Sequence, residues 1–192
     1  GLLQHIDLES ILDVEIVLRS PDGYDPARHE PKLWNTEGSI RRVVAALDET
    51  SSSQSSRRNQ YDVEVPTFDP ESVKKKRADS EDRVYRYEKE GRNTGWLRLA
   101  QRLETGNDNL YLALENLRAR DMLRSVSFLL RGKHSADAFS FDQLSEGEKQ
   151  LLAVVGAITL ANQSDNLVLL DEPDTHLNPH WSWDYPGMLT EA

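Results

Sequence analysis

Two short strings, LSEGEKQ over Leu144 to Gln150 and NLVLLDEP over Asn166 to Pro173, constrain the fold more than any other part of the chain. Leu167, Val168, Leu169 and Leu170 form an unbroken apolar run, the pattern of a strand buried on both faces of a parallel sheet. Asp171 and Glu172 follow at once and Pro173 stops the strand. The two carboxylates therefore stand at its carboxyl end, where open α/β sheets take their ligands. Adjacent side chains on extended backbone point opposite ways, so one acid is free to hold the hydration shell of a metal ion while the other faces a water.

The first string follows a different logic. Ser145 is a good N-cap, and Glu148 three residues on completes a capping-box pattern. Leu151, Leu152, Val154, Val155, Ile158 and Leu160 then predict a strongly apolar helix. Its first turn offers a hydroxyl, the flexible backbone of Gly147 and unpaired N–H groups to an anion, and a phosphate is the natural guest. Either string alone has a plainer account, as an ordinary capped surface helix or a strand ending in a turn. Both in this order make coincidence a poor explanation.

With those residues in hand, the chain resembles the ABC-type ATPases, a group that includes transporter motors, SMC proteins and DNA-repair ATPases. LSEGEKQ resembles their signature motif and NLVLLDEP their Walker B strand. The wording LSEGEKQLL followed by LLDEPDTHLNPHW is similar to the AAA-family ATPases of bacterial defence systems: restriction-associated, retron-associated, and the Septu type that works with an HNH nuclease. The resemblance is specific over Phe139 to Trp181 and weak upstream.

The resemblance implies an α/β fold, part of a P-loop NTPase head with a parallel-sheet core, a helical lobe and a charged insertion. It implies ATP and Mg²⁺ as cofactors. Ser145 and Gly147, with Glu146 and Glu148 beside them, would meet the γ-phosphate held by a second copy. Asp171 would bind the Mg²⁺ shell and Glu172 would polarise the attacking water. Asp174 opens the stretch to Asn178 that falls where the D-loop crosses the dimer interface. The implied partners are a second copy in an ATP-sandwiched dimer, an HNH-type nuclease, a retron reverse transcriptase and nucleic acid, in the cytoplasm and away from membranes. A different class of function uses the same residues: an ATP-locked scaffold dimer, hydrolysing slowly or not at all, that cages a nuclease or a nucleic acid. A DNA-repair or SMC-like ATPase is the further alternative.

A phosphate-cradling loop needs G-x-x-x-x-G-K-[ST], and no such string is present. Gly132, Lys133 and Ser135 come nearest, but His134 interrupts the Lys-Ser pair and Ser127 stands where the first glycine is required. The family's switch histidine, after the next strand, also has no counterpart before Ala192. These absences predict a piece of a longer ATPase, inactive by itself. His176 and His180 are spaced like a metal pair, yet Pro179 between them forbids a regular helix. Trp181 and Trp183 read as interface or core aromatics.

The net charge of −10 argues against indiscriminate coating of nucleic acid. Lys74, Lys75, Lys76 and Arg77, with Arg57 and Arg58 upstream, form a local basic run that a phosphate backbone would suit. Asp79, Glu81 and Asp82 follow directly, which favours a solvated helix face or linker. The chain has no cysteine, so disulfides and thiolate metal sites are excluded. No run reaches the roughly 18 apolar residues of a membrane span.

Three segments are expected: an N-terminal strand and helix over 1–47, a polar and charged linker or insertion arm over 48–93, and the signature-helix lobe with Walker B and D-loop over 94–192. Leu12 to Leu18 alternates as a strand with Val14, Ile16 and Leu18 on one face, and Ser39 to Leu47 reads as a helix. Pro21 to Gly23 marks a turn. Asp48 to Gln60 is serine-rich and polar, a linker candidate. Tyr61 to Phe68 suits a short strand, and Glu71 to Glu90 a charged helix or disordered arm. Asn109 begins an amphipathic helix carried to Leu123, and Val126 to Leu130 reads as a strand. Phe139 and Phe141 alternate before Leu144 and are expected to pack the signature helix.

Overall fold

The computed structural model describes residues 8–21, 24, 33, 34, 36–66, 73–90, 93–104, 109–134, 137–161, 183 and 187. Its elements, in chain order, are β1 (Ser10–Arg19), α1 (Gly38–Thr50), β2 (Ser53–Pro66), β3 (Val73–Glu90), β4 (Asn93–Thr94), α2 (Gly95–Glu104), α3 (Leu110–Ala119), β5 (Leu123–Arg131), β6 (Ala138–Ser140), a 3-10 turn (Phe141–Gln143) and α4 (Glu146–Ala161). The main path of the sheet runs β2-β3-β1-β5-β6, with β4 paired to β3. The chain divides into two compact units, Leu12–Phe128 and Gly1–Ile11 with Leu129–Ala192.

The larger unit is built on period-two patterning. Val14, Ile16 and Leu18 alternate along β1 and are buried. The antiparallel register sets Val14 against Tyr87, Ile16 against Tyr85 and Leu18 against Arg83. One face of the β1–β3 pair thus carries an aliphatic row beside Arg83, Tyr85 and Tyr87, all buried. On the other face Arg86 Nε donates to Glu15 Oε2 at 2.8 Å.

Helix α1 supplies Ile40, Val43, Val44 and Leu47 to the core, the i, i+3, i+4, i+7 spacing of one helical face. Its contacts run to α2, α3 and β3. α2 buries Gly95, Leu99 and Leu103. At Gly95 a Cβ would lie 3.1 Å from Tyr87 Cδ1, so a close approach of α2 to β3 requires the missing side chain. The Tyr87 hydroxyl donates to the Leu47 carbonyl at 3.3 Å, tying β3 to the end of α1.

Asn109 caps α3 as its sequence predicts: Oδ1 accepts the Leu112 N–H at 2.7 Å. The helix stops at Ala119 and does not continue to Leu123, because Asp121 turns left-handed at φ 53°. Met122 N–H bonds the Leu117 carbonyl at 2.9 Å and Asp121 N–H the Arg118 carbonyl at 2.9 Å, the two bonds of a Schellman ending. Leu117 and Met122, both buried, supply its apolar contact. Leu123 therefore opens β5. After β1, Tyr24 N–H donates to the Pro21 carbonyl at 3.1 Å across the expected Pro-Asp-Gly turn, whose Asp22 and Gly23 lie outside the described residues.

Residues 48–90 correct the sequence reading. The serine-rich stretch forms the last turn of α1 and the first half of β2, and the charged segment over Glu71 to Glu90 is strand from Val73, not helix. β2 lies at the sheet edge, and its polar first residues, Ser53 to Arg57, are exposed there, where a strand start without apolar residues is tolerated. Its start is pinned by Ser52 N–H donating to the Arg86 carbonyl at 2.8 Å and by Gln54 Nε2 donating to the Asp48 carbonyl at 2.7 Å. The register sets Arg57 against Asp82, Arg58 against Glu81, Asp62 against Arg77 and Glu64 against Lys75.

The described sheet also departs from the parallel core expected. β1–β3, β2–β3, β3–β4 and β5–β6 are all antiparallel. β2 ends at Pro66 and β3 begins at Val73, too short a link for a parallel crossover, which needs roughly a dozen residues or more. Leu167 to Leu170, on which the parallel expectation rests, lie outside the described residues.

In the smaller unit, Leu129, Leu130 and Arg131 of β5 pair with Ser140, Phe139 and Ala138 of β6. Glu9 N–H donates to the Arg131 carbonyl at 2.8 Å. Among its described residues, Leu130, Leu144, Leu151 and Val154 are the buried apolar ones.

Candidate functional site: the capped start of helix α4

The chain enters α4 through two consecutive caps. Ser140 begins the 3-10 turn: its Oγ accepts the Asp142 N–H at 3.3 Å, and its own N–H donates to Gln143 Oε1 at 2.8 Å. Leu144 N–H closes that turn on the Phe141 carbonyl at 3.1 Å. Leu144 itself is buried, so the residue before Ser145 is anchored as an apolar N′ residue should be. Phe139 and Phe141 are half-buried in β6 and the turn. The Ser140 to Gln143 box went unread in the sequence, although its S-x-x-Q spacing is the same signal as at Ser145.

The second cap is the one expected. Ser145 N–H donates to Glu148 Oε2 at 2.8 Å, and Glu148 N–H donates to Ser145 Oγ at 3.3 Å. The Ser145 hydroxyl in turn donates to Glu148 Oε2 at 2.7 Å. The first intrahelical bond is Lys149 N–H to the Ser145 carbonyl at 3.0 Å, so the N–H groups of Glu146 and Gly147 have no carbonyl one turn back. Ser145 and Glu146 are exposed, Gly147 is buried and Glu148 half-buried. Glu146 pairs with Lys149 at 3.0 Å.

A hydroxyl and two unpaired N–H groups at a helix start form a donor set that suits a phosphate oxygen. The two glutamates of the same turn oppose it, and Glu148 already holds the Ser145 hydroxyl. The donor chemistry therefore fits the terminal phosphate of a nucleotide, on condition that Ser145 is released. Asp171, Glu172 and Asp174 lie outside the described residues, as do His176, His180 and Trp181. Among the described residues no cluster of histidines and acids could hold a metal ion. Trp183 is 87 % exposed, which removes the core reading for that residue.

Residues 54–182 match the family described as AAA domain, putative AbiEii toxin, Type IV TA system. The match spans more than half of the chain, and the chain belongs to this family. Membership carries the P-loop AAA type of domain and, with it, nucleotide binding and ATPase chemistry as the general class. No curated protein matches the chain. No helix among the described residues is long and apolar enough to cross a membrane.

Proposed function

Starting from that membership, we propose that the chain contributes the signature helix and the Walker B strand of an ABC-type ATPase head, working with a nuclease in bacterial defence. The observation that carries this reading is the start of α4: LSEGEKQ opens a helix at Ser145, with the hydroxyl and the free N–H groups of the first turn together at its exposed end. In this reading Ser145 and Gly147 face the γ-phosphate held by a second copy, with Glu146 and Glu148 at the border of the contact. Asp174 lies at the dimer interface. Residues 48–93 stand as an insertion in the head, a β-hairpin in place of a helical arm.

ATP bound with Mg²⁺ supplies the phosphoanhydride and the charge neutralisation for in-line transfer to water. The residues of this chain position and polarise: Asp171 would hold the metal's water shell, and Glu172 would take the proton of the attacking water. Because no G-x-x-x-x-G-K-[ST] string is present, turnover is expected only where a phosphate loop is supplied alongside. The test is ATP turnover and nucleotide binding by the full-length protein, native and with Glu172→Gln. Turnover should fall about 10²- to 10⁴-fold with binding retained. Turnover at the native rate in the variant overturns the assignment.

A further inference from the structure

Helix α1 starts on a cavity of about 700 Å³ that lies within the larger unit, where the ends of β1 and α3 meet the first turn of α1. Arg41 N–H makes the first intrahelical bond, to the Glu37 carbonyl at 3.3 Å, so the N–H groups of Gly38, Ser39 and Ile40 have no carbonyl one turn back. Glu37, the N-cap residue, makes no side-chain cap bond, and the first turn holds no acid. Gly38 stands at φ 60° with nothing within 4 Å of where a Cβ would be, so a ligand can come up against the backbone there.

A second observation is independent of the helix. Trp34 lines the same cavity and is only 2 % exposed, yet its Nε1–H is buried without a hydrogen-bond partner among the described residues. An indole N–H can only donate, and a buried donor with no acceptor carries its full desolvation cost unless a bound group supplies the oxygen. Arg120, exposed at the end of α3, brings a guanidinium with no ion pair among the described residues to the same cavity. Glu37 is the opposing charge on this wall, and the Thr36 hydroxyl is spent on the Leu33 carbonyl at 2.7 Å.

We infer that the cavity binds a phosphate monoester, its phosphate seated on the N–H groups of Gly38, Ser39 and Ile40 and met by the Trp34 indole N–H and the Arg120 guanidinium. Donors from three parts of the chain suit the three free oxygens of a phosphate better than the two of a carboxylate. Pro21, Ile40 and Met122 wall the rest of the cavity with apolar surface, and its volume is that of a small-molecule pocket, so the organic part of the ester has a place. The site uses none of the residues of the ATPase reading and does not depend on it.

Trp34 is the reporter for the test. The full-length protein is labelled with 5-fluorotryptophan, the Trp34 ¹⁹F resonance is assigned by its loss in Trp34→Phe, and the native protein is titrated with phenyl phosphate and with phenylacetate at constant ionic strength. Phenyl phosphate should move the Trp34 resonance saturably, and phenylacetate should move it far less. Arg120→Ala should weaken the response to phenyl phosphate by on the order of tenfold, the effect of losing one charge-assisted hydrogen bond. Ser39→Glu should abolish it while leaving the thermal midpoint equal or higher, because a carboxylate in the first turn of a helix opposes an anion but favours the helix dipole. Both variants also separate this site from phosphate held at an ATPase centre. A Trp34 resonance that phenyl phosphate does not move, a shift undiminished in either variant, or an equal response to phenylacetate overturns the site.

Discussion

Arg83 lies over the indole of Trp34, with Cζ 4.3 Å from the ring centroid, while its Nε donates to Glu81 Oε1 at 2.9 Å. The guanidinium is charged in a nearly closed setting, with Arg83 9 % exposed. Burial works against that charge, but the hydrogen bonds to Glu81 and Tyr85 outweigh it and hold the guanidinium pKa above its ordinary value. Truncation to Arg83→Ala leaves Glu81 without its partner and Trp34 without its cover. A loss of about 3 kcal/mol in urea unfolding is expected, with Arg83→Lys intermediate because an ammonium cannot keep both contacts. A loss below about 0.5 kcal/mol for Arg83→Ala would mean that the stack is incidental.

Asp121 carries the left-handed turn that ends α3, at φ 53°. A β-branched residue is strained there, so Asp121→Val should cost about 1–2 kcal/mol, and Asp121→Gly should be neutral or stabilising. The Arg19 to Asp121 contact, 3.7 Å and exposed on the aspartate side, is too weak to reverse that order. Denaturant midpoints of the two variants in the opposite order would refute the Schellman reading.

Tyr85 and Tyr87 make a prediction about alkaline pH. Burial raises both phenol pKa values above the ordinary 10, with the charge of Asp48 adding to it at Tyr85 and the Thr50 hydroxyl partly offsetting it at Tyr87. The folded state keeps these protons after the unfolded state has begun to lose them, so stability is complete below pH 10 and falls as pH rises beyond it. Stability measured from pH 9 upward should fall less steeply in Tyr87→Phe than in the native protein. Parallel slopes would show that the phenol is not what titrates.

The two helix caps invite a direct comparison. Ser145→Ala and Asn109→Ala each remove a side-chain acceptor at a helix start, and each should cost about 1 kcal/mol in thermal or denaturant unfolding. Ser145→Thr should recover most of its loss. A Ser145→Ala protein as stable as the native one would mean that the reciprocal bonds with Glu148 contribute nothing to α4.

Local chemistry made several elements legible. The alternation of Val14, Ile16 and Leu18 announced β1, Asn109 announced α3, and Ser145 with Glu148 announced both the start of α4 and its reciprocal bonds. Tyr61 to Pro66 was read as strand, but the first half of β2 and all of β3 were misread because their backbone pairing comes from partners far along the chain, as between Ser53 and Arg86. Serine-rich and charged composition carries no trace of a partner. One signal was available, however: Arg83, Tyr85 and Tyr87 alternate with a period of two inside the segment read as helical, and all three are buried.

What the sequence by itself determined is what neighbouring residues settle among themselves: helix caps, the face an amphipathic segment buries, the motif order that pointed to nucleotide chemistry. What only the tertiary structure decided is pairing. The edge position of β2, the antiparallel register that sets Arg57 against Asp82, and the stacking of Arg83 on Trp34 all depend on residues brought together from distant parts of the chain. The Ser145 hydroxyl lies between the two: its cap was readable from spacing, but the 2.7 Å bond that commits its proton to Glu148 needed atomic positions, because a hydroxyl rotor takes its direction from whatever acceptor stands nearest.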